Sequence, residues 1–128
     1  MAKKQIRPTK LELSILNVLW QKGPATVREI HEIVDESKPT AVNTVLTMLQ
    51  IMNEKDLVTR DDTVRPQIYR ARYSQQQTQT HLVKDLIQRA FDGSIKEMVM
   101  RALSTRKPSA KTLKAMEKLL EEFEGDSK

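Results

Sequence analysis

The sequence of 128 residues contains no cysteine, only three glycines and only five aromatic residues. Without cysteine, the chain can form no disulfide, no zinc site with cysteine ligands and no iron–sulfur cluster. The glycines, at positions 23, 93 and 125, are too far apart to form a glycine-rich loop that cradles phosphate groups. These scarcities exclude thiol-based sensing and the common nucleotide-binding loops.

Long apolar runs are also missing, since no stretch approaches the roughly 18 consecutive apolar residues of a membrane span. The first residues lead into an amphipathic helix pattern and not into the apolar core of a signal peptide, which predicts a cytoplasmic protein without membrane insertion. Hydrophobic residues make up 38% and charged residues 30% of the chain, which is typical of a folded domain. The net charge of +5 favours an acidic partner such as nucleic acid.

Two helices near the N-terminus are predicted from capping boxes. Thr9 and Glu12 begin the first helix, which ends at Gly23-Pro24. Thr26 and Glu29 begin the second helix in the same way. Apolar residues at helical spacing are predicted to be buried: Leu11, Ile15, Leu16, Leu19 and Trp20 in the first helix, and Val27, Ile30, Ile33 and Val34 in the second.

The segment from Lys38 to Leu57 is predicted to be a third helix that begins near Pro39, since a first helical turn tolerates proline. Two helices joined by a short turn have the spacing of a helix-turn-helix, whose second helix lies in the major groove of DNA. One face of the third helix is apolar, and the other carries short neutral side chains that can read bases, since asparagine pairs with adenine and threonine contacts base edges. On this face alone, an ordinary solvated surface is an equal alternative. The inner face is Val42, Val45, Leu46, Leu49, Met52 and Asn53, and the outer face is Thr40, Asn43, Thr44 and Thr47.

After Leu57 the pattern changes to short alternating runs, Val58–Arg60 and Gln67–Tyr73, separated by a polar turn. Two short strands around a turn predict a β-hairpin, and Pro66 is tolerated at the start of an edge strand. Three helices followed by a hairpin indicate a winged helix-turn-helix domain over residues 1–73, so the fold class is mainly α with an α+β winged helix. Basic residues on the hairpin and beside the helix-turn-helix are predicted to contact DNA phosphates: Arg28, Lys38, Arg60, Arg65 and Arg70.

Residues 74–128 are predicted to form a second, helical domain with breaks at Asp92-Gly93 and at Thr105–Pro108. Its apolar stripes cannot close a core alone, so they need a partner surface. The simplest partner is the same segment of a second copy, which would give a homodimer with two DNA-reading domains. The alternative is that these helices fold back on the N-terminal domain. The predicted dimerisation residues are Leu82, Leu86, Phe91, Met98, Leu103, Leu113, Met116, Leu120 and Phe123.

Two histidines lie four residues before an aspartate on a predicted helix, as His31 with Asp35 and His81 with Asp85. This spacing places two side chains on one helix face, but two ligands do not make a metal site. Polar pairs on the helix surface are the simpler interpretation. No order of Ser, His and acidic residues indicates an activated nucleophile. We therefore expect no metal, no cofactor and no enzymatic activity.

Residues 11–20, 25–30, 40–49, 54–58 and 68–71 carry a family resemblance, with 91–94 as the break between dimerisation helices. These segments resemble the penicillinase-repressor (BlaI/MecI) family of β-lactamase and methicillin-resistance repressors, with the copper-responsive CopY repressors as cousins. The resemblance implies a winged-helix homodimer that binds a dyad-symmetric DNA operator and blocks transcription. It also implies that Ala41, Asn43, Thr44 and Thr47 occupy the recognition-helix positions and that Arg60 and the turn 61–66 form the wing.

Departures from the family pattern bear on how repression would end. The copper-responsive cousins carry a C-terminal cysteine motif, which this chain lacks, and this argues against release by copper. In the β-lactamase-type repressors a membrane sensor triggers cleavage at an Asn-Phe bond, and the matching pair here is Arg101-Ala102. The resemblance thus implies a sensor protease as a partner, and the different residue pair argues against cleavage at this bond.

Two alternatives from other functional classes remain at this point. The chain could be a helical adaptor whose winged domain binds another protein. It could also be a regulator that responds to a small molecule bound at the dimer junction, although five aromatic residues leave little lining for such a pocket.

Overall fold

The structure is a computed structural model that describes residues 7–126, so the predicted domain ends at residues 1 and 128 lie outside it. Two compact units are present, one up to Lys84 and one from Asp85 onward, and the boundary falls within α4. The predicted boundary at 73/74 instead coincides with the start of this helix. In chain order the described elements are α1 (Lys10–Lys22), α2 (Val27–Ser37), α3 (Val42–Glu54), β1 (Val58–Asp61), β2 (Ile68–Ala71), α4 (Gln75–Ala90), α5 (Ile95–Thr105) and α6 (Ala110–Asp126).

Capping boxes begin α1 and α2, as the sequence predicts. The backbone N–H of Thr9 donates to Glu12 Oε1 at 2.7 Å, and the N–H of Glu12 donates to Thr9 Oγ1 at 3.3 Å. Thr26 and Glu29 repeat this exchange at 2.9 and 3.3 Å. The backbone N–H of Thr26, with help from Lys22, lowers the pKa of Glu29. Reciprocal capping therefore determines where both helices start.

The first unit encloses one hydrophobic core between its three first helices and the hairpin. Two residues that are predicted to be buried are exposed, since Ile33 is 40% exposed and Val42 is 45% exposed. Val18 is buried, although it is not among the residues predicted to be. Ile33 is exposed because the buried line of α2 runs through Ile30 and Val34. The buried hydrophobic residues are Ile15, Leu16, Val18, Leu19, Ala25, Ile30, Val34, Val45, Leu49, Met52, Leu57, Val58 and Tyr69.

The hairpin confirms the predicted strands to within a few residues and is held against the helices by a third segment. β1 and β2 pair antiparallel, with Thr59 opposite Arg70 and Arg60 opposite Tyr69. Ala25, in the turn between α1 and α2, exchanges backbone hydrogen bonds with Tyr69 at 3.1 and 2.8 Å. This bridge fixes the hairpin to the start of α2.

The second unit consists of the rest of α4 with α5 and α6. The predicted break after α4 is confirmed, because Asp92 and Gly93 both adopt positive φ angles of 49° and 84°. Ser94 caps α5 by accepting a hydrogen bond from the N–H of Glu97 at 3.1 Å. Between residues 85 and 125 no side chain is buried.

Among the described helices, none is long and apolar enough to cross a bilayer.

Candidate nucleic-acid interface

The recognition-helix candidate α3 has one buried face and one exposed polar face. Val45, Leu49 and Met52 are fully buried, which fixes the rotation of the helix about its axis. Asn43, Thr44 and Thr47 are exposed on the other side, and Ala41 is exposed at the N-cap. The four predicted base-reading residues are thus brought together on one surface at the N-terminal half of α3. Neutral hydrogen-bonding groups on a rigidly held helix are suited to contact base edges.

The prediction that α3 begins near Pro39 is wrong, because the helix begins at Val42. Thr40 therefore lies in the turn and not on the helix, and its hydroxyl donates to the carbonyl of Lys38 at 2.7 Å. The Thr40 hydroxyl, which the sequence predicts on the outer face of α3, is therefore engaged within the turn. The short turn also explains the exposure of Val42, which belongs to the first helical turn, ahead of the residues that reach the core.

Val42 is a candidate base contact that the sequence analysis misses. It follows Ala41 and precedes Asn43, and nearly half of its surface is open. An apolar side chain in this position can pack on the methyl group of thymine. Only knowledge of the true helix start would have shown that this apolar residue faces away from the core.

The turn before α3 is held by His31 and Asp35, which corrects the interpretation of these residues as a polar pair with each other. His31 Nε2 lies 2.7 Å from the carbonyl oxygen of Thr40, so the imidazole donates to it. Asp35 Oδ1 accepts the backbone N–H of Thr40 at 2.8 Å. Both backbone polar groups of Thr40, its N–H and its carbonyl, are therefore fixed from α2. This arrangement positions α3 relative to the helix before it.

On the wing, Arg60 differs from the other predicted phosphate contacts. It faces the same side of the hairpin as buried Tyr69, and its Nε lies 2.7 Å from Asp62 Oδ1. The side chain of Tyr69 and the carboxylate of Asp62 raise the pKa of Arg60. Asp62 also accepts a hydrogen bond from Gln67 Nε2 at 2.8 Å. Arg60 therefore holds the base of the wing together through contacts within the chain.

The remaining predicted phosphate contacts are exposed. Arg65 lies in the turn of the wing and Arg70 on β2, opposite Thr59 on the outer side of the hairpin. Arg28 lies in the first turn of α2, and Lys38 follows the end of that helix. In the described part of the chain, no carboxylate lies within 4.0 Å of Arg28, Lys38 or Arg65. These cations are open to an external anion.

A buried ion pair connects α1 to the end of α3. Glu12 is fully buried, and Lys55 Nζ donates to its two carboxylate oxygens at 3.2 and 3.0 Å. Lys55 is the C-cap of α3. The local sequence pattern indicates only the capping role of Glu12, because nothing in it identifies a partner 43 residues away. The pair fixes the C-terminal end of α3, as the His31 and Asp35 contacts fix its beginning.

The predicted dimerisation residues lie on α4, α5 and α6, except Phe91, which lies in the break after α4. All of them are partly or largely exposed in the single chain. Leu120 and Phe123, on α6, are 61% and 63% exposed. Residues 7–126 contain no group of three His, Cys, Asp or Glu side chains that could hold a metal ion. Asp85 Oδ2 lies 3.6 Å from Arg89 Nη1, one helical turn further along α4.

These elements define a winged helix-turn-helix domain followed by a helical unit. A family model described as penicillinase repressor matches residues 8–122. A penicillinase repressor of Staphylococcus aureus is 18% identical over 123 residues, which cover 96% of this chain and 98% of that protein. A transcriptional regulator BlaI of Mycobacterium tuberculosis is 28% identical over 91 residues, which cover 70% of this chain and 66% of that protein.

The chain belongs to the penicillinase repressor family. The six helices and the two-stranded antiparallel sheet of residues 7–126 confirm the expected fold class. Members of this family are transcriptional repressors and not enzymes, which confirms the expectation of a DNA-binding regulator without catalytic activity.

Proposed function

We propose that this protein is a homodimeric repressor that places α3 in the major groove of a dyad-symmetric operator. The observation that carries this proposal is the surface of α3, where Asn43, Thr44 and Thr47 are exposed while the opposite face is fully buried. An exposed helix face without charge is poorly suited to solvent alone but suits base edges. We assign base reading to these residues with Ala41 and Val42.

Exposed cations on both sides of α3 would hold the phosphate backbone. We assign this role to Arg28, Lys38, Arg65 and Arg70, and we assign Arg60 to the support of the wing because Asp62 already binds its guanidinium. Phosphate contacts of this kind position a protein on DNA without reading its sequence.

The homodimer is proposed because the second unit buries none of its side chains between residues 85 and 125. Three helices with apolar stripes and no buried core require another surface, and a second copy supplies one with two-fold symmetry. Two domains related by such an axis would read two half-sites. The DNA target leads us to expect the protein in the cytoplasm. A sensor protease is not included, since Arg101 and Ala102 replace the Asn-Phe pair and lie inside α5.

The test is fluorescence anisotropy with labelled DNA from upstream of the protein's own gene, titrated at two salt concentrations against a scrambled duplex of equal length. We expect tighter binding to the upstream DNA and a steep loss of affinity with salt, because released counterions drive phosphate contacts. Equal and weak binding to all duplexes at low ionic strength would reject the proposal and favour an adaptor.

Substitution of Asn43 by alanine is expected to relax sequence preference. A bidentate contact to a base contributes about 1–3 kcal/mol of discrimination, so the ratio of specific to scrambled affinity should fall about tenfold. Asn17→Ala is the matched control, because Asn17 is exposed on α1 and outside the α3 surface. An unchanged ratio in Asn43→Ala would remove Asn43 from the reading surface.

Substitution of Arg65 by alanine is expected to weaken binding to operator and scrambled DNA by the same factor. One lost phosphate contact should also reduce the slope of log affinity against log salt by about 0.9. Arg106→Ala makes the same charge change at an exposed site between α5 and α6 and is expected to leave the slope unchanged. If both variants behave alike, the wing does not contact phosphate.

A further inference from the structure

A groove of about 780 Å³ lies between α1 and α2 in the first unit. One wall follows α1 from Thr9 to Lys22, a distance of about 20 Å at the rise of an α-helix. The other wall is the C-terminal half of α2 and the turn after it, from Ile33 to Thr40. The volume is in the range of small-molecule sites in proteins.

Apolar side chains form the floor of this groove. Leu11 and Val18 contribute from α1, and Ile33 and Val34 contribute from α2. Ile33 is 40% exposed although it is one of the larger apolar residues of α2, and the hydrophobic core of the unit does not use it. An occupant of the groove would remove this surface from water.

The charged residues that line the groove are all lysines: Lys10, Lys22 and Lys38. Lys22 is partly neutralised by Glu29, at 3.3 Å from Nζ to Oε2. Lys10 and Lys38 have no carboxylate within 4.0 Å in the described part of the chain, and no acidic residue is among those that line the groove. The groove thus combines an apolar floor with an unbalanced cationic rim.

We propose that this groove binds an amphiphilic organic anion, with its hydrocarbon chain on the apolar floor and its carboxylate on the cationic rim. Residues 1–6 of the chain itself are a rival occupant by sequence proximity. Charge argues against them, since they include Lys3 and Lys4 and no carboxylate. It also selects against a cationic or neutral amphiphile, which would leave the lysines unbalanced.

The groove is connected to the α3 surface through Lys38 and Thr40, which line it at one end. Lys38 is one of the proposed phosphate contacts, and the backbone of Thr40 is the point where His31 and Asp35 fix the turn before α3. A bound anion would compete with phosphate at Lys38 and lower operator affinity. This regulatory role rests on the proposed function, whereas binding of the anion itself does not.

Calorimetric titration of the full chain with decanoate, held below its critical micelle concentration, tests the site without DNA. We expect saturable binding of one decanoate per chain, and no saturable binding of acetate or decyltrimethylammonium. Ile33→Asp should weaken decanoate binding at least about tenfold, because an apolar contact is lost and a like charge is added. Val64→Asp is the matched control, since Val64 is exposed to a similar extent, 37%, and does not line the groove.

A second variant, Lys10→Glu, reverses charge on the rim at an exposed position, and it should also weaken decanoate binding at least about tenfold. Equal binding of the cationic amphiphile, or unchanged affinity in both groove variants, would overturn the site. If the protein sediments with anionic phospholipid vesicles but does not bind monomeric decanoate, the proposed site is also overturned, in favour of a membrane surface.

The regulatory role is tested by an operator titration, in which saturating decanoate should lower the affinity for DNA at least about fivefold. Decanoate binding without this decrease would overturn the regulatory role alone.

Discussion

Leu120→Glu is expected to convert the protein from a dimer to a monomer and to reduce operator affinity by about 10²–10⁴-fold. Leu120 is 61% exposed in the single chain and lies on the apolar stripe of α6 with Met116 and Phe123. At a two-fold interface each of the two copies contributes the new carboxylate, and both would be buried without a partner, which is strongly unfavourable. Loss of the second reading domain removes the avidity of a two-site contact, which accounts for the expected decrease.

Sedimentation equilibrium and operator titration check this prediction on the same samples. Lys118→Gln is the matched control, because it changes the net charge by the same amount on the opposite face of α6. The circular dichroism of the helices and the thermal transition of the winged-helix unit show whether that unit stays folded. A dimeric Leu120→Glu protein, or a monomer with unchanged operator affinity, would contradict the proposed arrangement.

The local features of the fold could be predicted from the sequence because their causes are local. Thr9 with Glu12, and Thr26 with Glu29, satisfy each other's backbone donors within one helical turn, so a short pattern identifies both helix starts. The break at Asp92-Gly93 is predictable for the same reason, since the positive φ angles fall on residue types that tolerate them.

The missed features depend on distant parts of the chain. The indole N–H of Trp20 donates to the carbonyl of Tyr73 at 2.9 Å, across 53 residues, and Ala25 bonds to Tyr69 through backbone groups that have no sequence signature. The sequence predicts a start of α3 that is too early, because Pro39 fits a first helical turn by itself. His31 and Asp35, reaching Thr40 from α2, instead hold the chain extended up to Val42.

The candidate site shows the same division. Asn43, Thr44 and Thr47 could be chosen from helical spacing alone, because the buried face of α3 determines the exposed one. The different roles of Arg60 and Arg65 could not be predicted, because strand register decides which arginine meets Tyr69 and Asp62.

Glu12→Ala is expected to lower the free energy of unfolding by about 2–4 kcal/mol, as measured by urea denaturation at pH 7. Two contributions are lost together: the capping hydrogen bond to the N–H of Thr9 and the ion pair with Lys55. The estimate stays below that for a fully buried pair because the Lys55 side chain is 45% exposed and can be hydrated once its partner is gone.

Glu29→Ala is the matched control for the capping contribution. Glu29 closes the same kind of capping box and also contacts a lysine, Lys22, but its side chain is 45% exposed. Because its pKa is lowered, the stabilisation by Glu29 is complete above its ordinary value of 4.5, is lost only as pH falls through the lowered value, and is fully present at pH 7. We expect Glu29→Ala to cost clearly less than Glu12→Ala. Equal losses would show that burial of Glu12 and its contact with Lys55 add nothing to the cap.

A double-mutant cycle separates the ion pair from the cap and relates it to DNA binding. Lys55→Met leaves the buried carboxylate of Glu12 without its cation, so it should destabilise the fold at least as much as Glu12→Gln, which keeps the shape of the side chain. The coupling free energy between the two positions should be about 1 kcal/mol or more, since the groups are in direct contact.

The same Lys55 variant tests the link to DNA binding. Lys55 lies outside the α3 reading surface, so it would affect DNA affinity only by holding the end of the helix. At a temperature where Lys55→Met is still folded, its operator affinity should therefore fall while its salt slope stays unchanged, and a reduced slope would instead assign Lys55 to phosphate contact.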